Sequence, residues 1–191
     1  DTVTPSHYAL ELTPDLETFD FNGTVDINVT INCEGVSAIE LHCHEINISK
    51  ASFTSAADNS SLSMLGITYN LELTTVTLAF PSRLATGGGK LHIEYKGILN
   101  DQMAGFYRSK YTDVEGNDQY MASTQFEALD ARRALPCWVR RCRLEATLTL
   151  SFMQQCATLS LSLSFSLYCL YVLTIRCALL MHMCSFRMSL Q

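Results

Sequence analysis

Period-two alternation governs the first two thirds of this 191-residue chain. Val25, Ile27, Val29 and Ile31 are separated by Asp26, Asn28 and Thr30. Tyr8, Leu10 and Leu12 alternate with Ala9 and Glu11. The pattern returns at Ile39, Leu41 and Cys43, at Ile46 and Ile48, at Val76, Leu78 and Phe80, and at Leu91, Ile93 and Tyr95. Successive strand side chains point to opposite faces, so these runs each make one apolar and one wet face, the mark of antiparallel sheet. Turn formers separate the runs: Asn22-Gly23, Glu34-Gly35, Asp58-Asn59, Pro81-Ser82 and Gly87-Gly88-Gly89. No convincing helix-period run precedes Ala128. The expected fold of residues 1–120 is all-β: a layered antiparallel β-sandwich.

The chain changes character at Trp138. Every Gly and Pro lies before Val139, and residues 139–191 also lack Asp, Asn and Lys. An ordinary stretch of that length carries about 7% Gly and 5% Pro. Residues 1–138 hold 8 basic and 18 acidic side chains, whereas residues 139–191 hold 5 Arg and one Glu. The net charge of −6 argues against a nucleic-acid surface, which needs clustered Lys and Arg. Cys33, Cys43 and Cys137 precede the break, and Cys142, Cys156, Cys169, Cys177 and Cys184 follow it or lie close to it. No Cys-x-x-Cys pair occurs, so free thiols in a reducing, cytoplasmic setting are expected.

Two segments are therefore expected: a β domain over residues 1–138, and an aberrant hydrophobic tail over residues 139–191. Cys156 to Ile175 is 20 residues without a charge, long enough to cross a bilayer as a helix. Serines dilute it, however, and Leu159, Leu161, Leu163, Phe165 and Leu167 alternate with Ser, so a strand fits equally well. Membrane association through residues 156–175 stays open beside the cytoplasmic expectation. So does an origin of the tail in a frameshift or an unspliced intron. The tail is short of turn formers and rich in β-prone apolar runs, so trimming near Pro136 is expected to improve solubility. The first residues, Asp1-Thr2-Val3-Thr4-Pro5, show neither Met nor a basic-then-apolar leader, and a fragment is expected.

The histidines offer little chemistry. His42-Cys43-His44 puts two imidazoles on one strand face, but a zinc site needs further ligands and none is evident nearby. His44-Glu45-Ile46-Asn47-Ile48 begins like H-E-x-x-H, a motif that works because i and i+4 share a helix face; here Ile48 takes the last place and the segment reads as strand. No metal ligands are assigned. Four N-x-S/T sequons, at Asn22, Asn28, Asn47 and Asn59, are read as incidental.

The most specific stretch is Gly105-Phe106-Tyr107-Arg108-Ser109-Lys110-Tyr111, followed by Ser123-Thr124-Gln125-Phe126-Glu127-Ala128-Leu129-Asp130-Ala131-Arg132-Arg133-Ala134-Leu135-Pro136-Cys137-Trp138. It resembles the zinc aminopeptidase family of puromycin-sensitive aminopeptidase and aminopeptidase N, with its G-F-Y-R-S-x-Y and T-Q-F-E-x-T-D-A-R-R-A-F-P-C-W-D-E-P patterns. Pro5-Ser6-His7-Tyr8-Ala9-Leu10, Phe21-Asn22-Gly23-Thr24-Val25 and Leu99-Asn100-Asp101-Gln102-Met103-Ala104 resemble earlier parts of the same family. The likeness covers about residues 1–138. Leu129 and Leu135 replace the family's Thr and Phe, and Val139-Arg140-Arg141 stands where D-E-P is usual.

The resemblance implies a saddle-shaped N-terminal β domain that joins a separate zinc-bearing catalytic domain. It implies that Gln125 shapes the pocket for the substrate's first side chain and that Glu127 helps hold the free α-amino group. A carboxylate suits a cationic terminus, because a charge-assisted hydrogen bond is strong and directional. These 191 residues contain no H-E-x-x-H. The expected role is thus a fragment of a zinc-dependent aminopeptidase, inactive alone, with no catalytic residue of its own and zinc only in the parent. The alternative is a non-enzymatic interaction module with a membrane-anchoring tail.

Overall fold

The computed structural model describes residues 2–139 and the backbone of Glu145–Gln154, Ala157–Ser166 and Leu173–Thr174. Its strands are β1 (Val3–Asp15), β2 (Asp20–Ile31), β3 (Ala38–His42), β4 (Ile46–Ser55), β5 (Ser61–Ser63), β6 (Gly66–Asn70), β7 (Thr75–Ala79), β8 (Gly87–Ile98), β9 (Gly105–Thr112), β10 (Asp118–Gln125), β11 (Glu145–Gln154), β12 (Ala157–Ser166) and β13 (Leu173–Thr174). A 3₁₀ turn, Asp130–Arg133, follows β10. The all-β class expected from the alternation is the class observed.

A seven-stranded sheet runs in the order β12-β11-β1-β2-β8-β4-β5. Two three-stranded sheets, β3-β7-β6 and β13-β10-β9, accompany it. In the large sheet Tyr8, Ile27, Leu91 and Phe53 share one cross-strand row, and Leu10, Val25, Ile93 and Ala51 the next. All are buried, and they join Ile39, Leu41, Val76 and Leu78 of the β3-β7-β6 sheet in one core. Phe106 of β9 meets Phe21 of β2 edge-to-face at 5.1 Å, which ties the third sheet into the same core.

Two bulges keep the pattern in phase. The register shifts between Pro5 and His7 in β1 and between Ile48 and Lys50 in β4. In β4 both Ser49 and Lys50 face solvent, after which Ala51 and Phe53 point inward again. An extra residue in one strand resets which parity faces the core.

Two expected turns lie inside strands. Asn22-Gly23 sits within β2, and Gly87-Gly88-Gly89 opens β8 opposite Ile31, Thr30 and Val29. Gly23 faces the ring of Tyr95 across the sheet, and a Cβ there would fall 2.4 Å from Tyr95 Cζ. The glycine makes room for an aromatic ring, which is a packing demand rather than a turn. Real turns use Asx side chains instead. Asp15 accepts from the amides of Glu17 and Thr18 at 2.8 and 3.1 Å, and Asp113 from those of Glu115 and Asn117 at 2.9 and 2.8 Å.

The sheet is not wholly antiparallel. Residues His7–Leu12 of β1 pair with Thr147–Phe152 of β11 in parallel, and β11 pairs with β12 antiparallel. The stretch considered for a membrane span thus includes β12 and β13; residues 156, 167–172 and 175 of it lie outside the described residues. No helix among the described residues is long and apolar enough to cross a membrane.

This pairing decides where the chain can be trimmed. A cut at Pro136 removes the strand beside β1 and also Trp138, whose side chain is buried and whose amide donates to the Tyr8 hydroxyl at 3.3 Å. Loss of a buried Trp alone costs about 3–5 kcal/mol, and a bare 13-residue edge invites association. A chain ended at Ser166 is expected to outlast one ended at Pro136 in urea and to stay monomeric longer. Equal midpoints for the two would show that neither Trp138 nor β11 contributes to the fold.

Candidate functional site

The site grows out of the end of β10. Gln125 is its last residue and pairs with Gly105 at the start of β9. Phe126 turns into the core, and the Asp130 amide returns to the Phe126 carbonyl at 3.1 Å. Glu127, Ala128 and Leu129 therefore ride on an exposed turn, and the Glu127–Ala128 peptide is cis. The sequence places Gln125 and Glu127 on one extended segment, but only Gln125 is in the strand. The burial of Phe126 between them forces the bend.

The two side chains differ in setting. Glu127 is exposed and Gln125 half-buried. Gln125 Oε1 is the one buried side-chain polar atom without a hydrogen-bond partner among the described residues. A buried acceptor left unpaired costs stability, so it marks a place where a donor would be welcome.

Residues that the sequence presents only as parts of a motif support this turn and the loop before β9. Gly105 has φ +70°, and a Cβ on it would lie 2.4 Å from the Arg133 Cβ and 2.9 Å from the Asp130 carbonyl. The 3₁₀ turn packs directly on that bare backbone. Arg108 donates to the Leu99 carbonyl at 2.5 Å, pairs with Asp101 at 3.0 Å and lies 4.5 Å above the Phe19 ring. Asn100 bridges its own loop, donating to Ala104 at 2.7 Å and accepting from the Gln102 amide at 2.9 Å. In the sequence Asn100 and Arg108 are only polar residues either side of Asp101–Tyr107, and their roles appear once the loop is closed.

β3 ends at His42, and His44 lies beyond it in a bend, so the two do not share a strand face as expected. His42 Nδ1 accepts from the Val139 amide at 3.2 Å. Burial, then the nearby Arg133 charge, pushes the His44 imidazole below its ordinary range. Among the described residues no three His, Cys, Asp or Glu side chains converge on a metal position. These residues do not fit the zinc of the resembled family, so no chemical step is routed through it.

Two outcomes follow. Gly105→Ala adds a Cβ both at positive φ and into the 3₁₀ turn, and is expected to lower stability by at least about 1–2 kcal/mol, measured by urea unfolding. A neutral effect would mean that the turn does not rest on Gly105. His44 binds its proton less readily folded than unfolded, so stability falls as pH drops below about 6.5. His44→Gln is expected to flatten that part of the pH–stability curve; an unchanged slope would place the titration elsewhere.

The Peptidase M1 N-terminal domain family matches residues 4–162, a span that crosses the composition break at Trp138 and takes in β11. Alanine/arginine aminopeptidase of Saccharomyces cerevisiae is 40% identical over 142 residues, covering 72% of this chain and 16% of that protein. Puromycin-sensitive aminopeptidase of Caenorhabditis elegans is 37% identical over 134 residues, 70% of this chain and 14% of its own length. Aminopeptidase M1 of Arabidopsis thaliana is 38% identical over 136 residues, 70% and 15% respectively. The chain thus spans between 14 and 16% of the length of these relatives. With most of its own length matched, the chain belongs to the peptidase M1 N-terminal domain family.

Proposed function

We propose that the chain supplies the N-terminal β domain, and one wall of the substrate site, to a zinc-dependent aminopeptidase that removes amino-terminal residues from peptides. Glu127 holds the free α-ammonium group, and Gln125 lines the space for the first side chain. The zinc and the groups that activate water belong to a catalytic domain of the intact enzyme, outside these 191 residues. The observation that carries the reading is an exposed carboxylate at Glu127, on the turn two residues past the half-buried Gln125 that ends β10. A peptide terminus offers it a cation. The family assignment supports the substrate class.

The exposure of Glu127 sets the strength. An ion pair in water contributes about 0–1 kcal/mol, so one open carboxylate selects an amine without holding it tightly. Tight binding requires a second wall that excludes water and makes the same charge pair count for more. The peptide terminus and the catalytic domain are therefore coupled partners. A cytosolic setting is part of the proposal, supported by the free thiols of Cys33, Cys43 and Cys137.

The test is a ¹³C NMR titration of the Glu127 carboxyl with Leu-Ala amide and with its N-acetyl derivative. The free amine is expected to shift the signal weakly, with a dissociation constant of about 10 mM or above. The acetylated peptide and the Glu127→Gln variant are expected to give no shift. Equal shifts from both peptides would refute amine recognition. The chain with added zinc is also expected to leave a fluorogenic Leu substrate uncleaved. Turnover lost in a His42→Ala, His44→Ala double variant would overturn that part.

A further inference from the structure

The turn bearing Glu127 is tied to segments distant in sequence by two consecutive arginines. Arg133 pairs with Glu45, which sits in the bend between β3 and β4, and its Nε lies 3.5 Å from Asp130 Oδ1. Arg132 Nη1 donates to Thr74 Oγ1 at 2.7 Å, just before β7. The backbone repeats the connection: the His44 amide donates to the Arg132 carbonyl at 2.8 Å, and the Cys43 amide to the Thr74 carbonyl at 2.8 Å. The partners are 88 residues apart in sequence for Arg133–Glu45 and 58 for Arg132–Thr74.

Both anchoring residues occupy the left-handed region, Glu45 at φ 57° and Thr74 at φ 50°. That conformation is disfavoured for any residue with a Cβ and most of all for a β-branched one. Such residues persist only where surrounding contacts over-determine them. Here the side chain of each strained residue is the acceptor for one arginine. The strain and the pairing thus coincide at two separate points, both facing arginines of the same 3₁₀ turn.

From that turn the path to the site is short. Asp130 at its start is bonded back to Phe126, and Glu127 lies between the two. Arg133 also packs its Cβ over Gly105, whose backbone faces Gln125. Both proposed substrate residues are thus flanked by atoms that the arginines hold.

We infer that Arg132 and Arg133 are positioning residues for the peptide-terminus site: by clamping Thr74 and Glu45 they fix the 3₁₀ turn and so orient Glu127. This rests on the reading of Glu127 given above. Neither arginine touches the substrate in this scheme. Their cationic groups are spent on protein acceptors, which leaves the Glu127 carboxylate free for the incoming ammonium. Because Glu45 is about half exposed, the clamp should also loosen in salt.

The experiment is amide hydrogen exchange on the 191-residue chain. Glu45→Gln keeps the shape and removes the charge; Thr74→Val keeps the shape and removes the hydroxyl; Thr74→Ser restores the hydroxyl. Exchange at Asp130 and Ala134, whose amides donate to Phe126 and Ala131, is expected to rise about tenfold in Glu45→Gln and Thr74→Val, and to stay at the native rate in Thr74→Ser. Amides of Val25, Ile27, Leu91 and Ile93 in the large sheet are expected to be unchanged. Uniform acceleration that includes those sheet amides, or no acceleration at Asp130 and Ala134, would overturn the positioning role. The Leu-Ala amide titration of the native chain separates the two readings. Local loosening with no amine binding would retain the clamp and reject the amine site; amine binding with no local loosening would do the reverse.

Discussion

Everything in this domain depends on covering one face of the large sheet. Strands β1, β2, β8 and β4 all turn their apolar residues to the same side, and burying them is the main source of stability. The cover comes partly from the two small sheets and partly from the chain between Ala134 and Trp138, which is buried almost throughout. That crossing segment brings polar backbone into an apolar layer, so its groups need partners. Two tyrosines of the sheet supply them. Tyr95 donates its hydroxyl to the Ala134 carbonyl at 2.9 Å, and Tyr8 accepts from the Trp138 amide. Burial drives both phenols well above their ordinary range, so they remain neutral and able to play these parts.

The same layer explains the inertness of its cysteines. Cys137 pairs backbone to backbone with the residue before Cys43, and burial pushes each thiol up to about 12. A thiol in that state is a small hydrophobe rather than a nucleophile. The segment thus serves packing, and the exposed Glu127 lies a few residues upstream, on the turn after β10.

Much of the β architecture was legible because side-chain parity is local. Residues Val25 to Ile31 announce their faces without reference to anything distant. The misreadings are instructive for the same reason. Asn22-Gly23 looks like a turn because a glycine's neighbours in sequence say nothing about the Tyr95 ring that lies across from it in the fold. The bulge at Ile48–Lys50 is invisible because two outward residues in a row look like a lapse in the pattern. His42 and His44 look like a strand pair because nothing in the residue types shows that β3 ends at His42, which bridges to the distant Cys137. At the site, the motif around Gln125 and Glu127 could be recognised, but the bend at Phe126 could not.

The sequence by itself determined the inward faces of the alternating runs, the all-β class and the family likeness, since alternation and motif are properties of neighbouring residues. The tertiary structure alone decided the order of the strands, the parallel seat of β11 on β1, and the placement of Glu127. Those features are made by residues far apart in the chain, such as Arg133 with Glu45, or His7–Leu12 with Thr147–Phe152. Closing such long loops costs entropy that only the assembled core repays, so no local stretch can encode them alone.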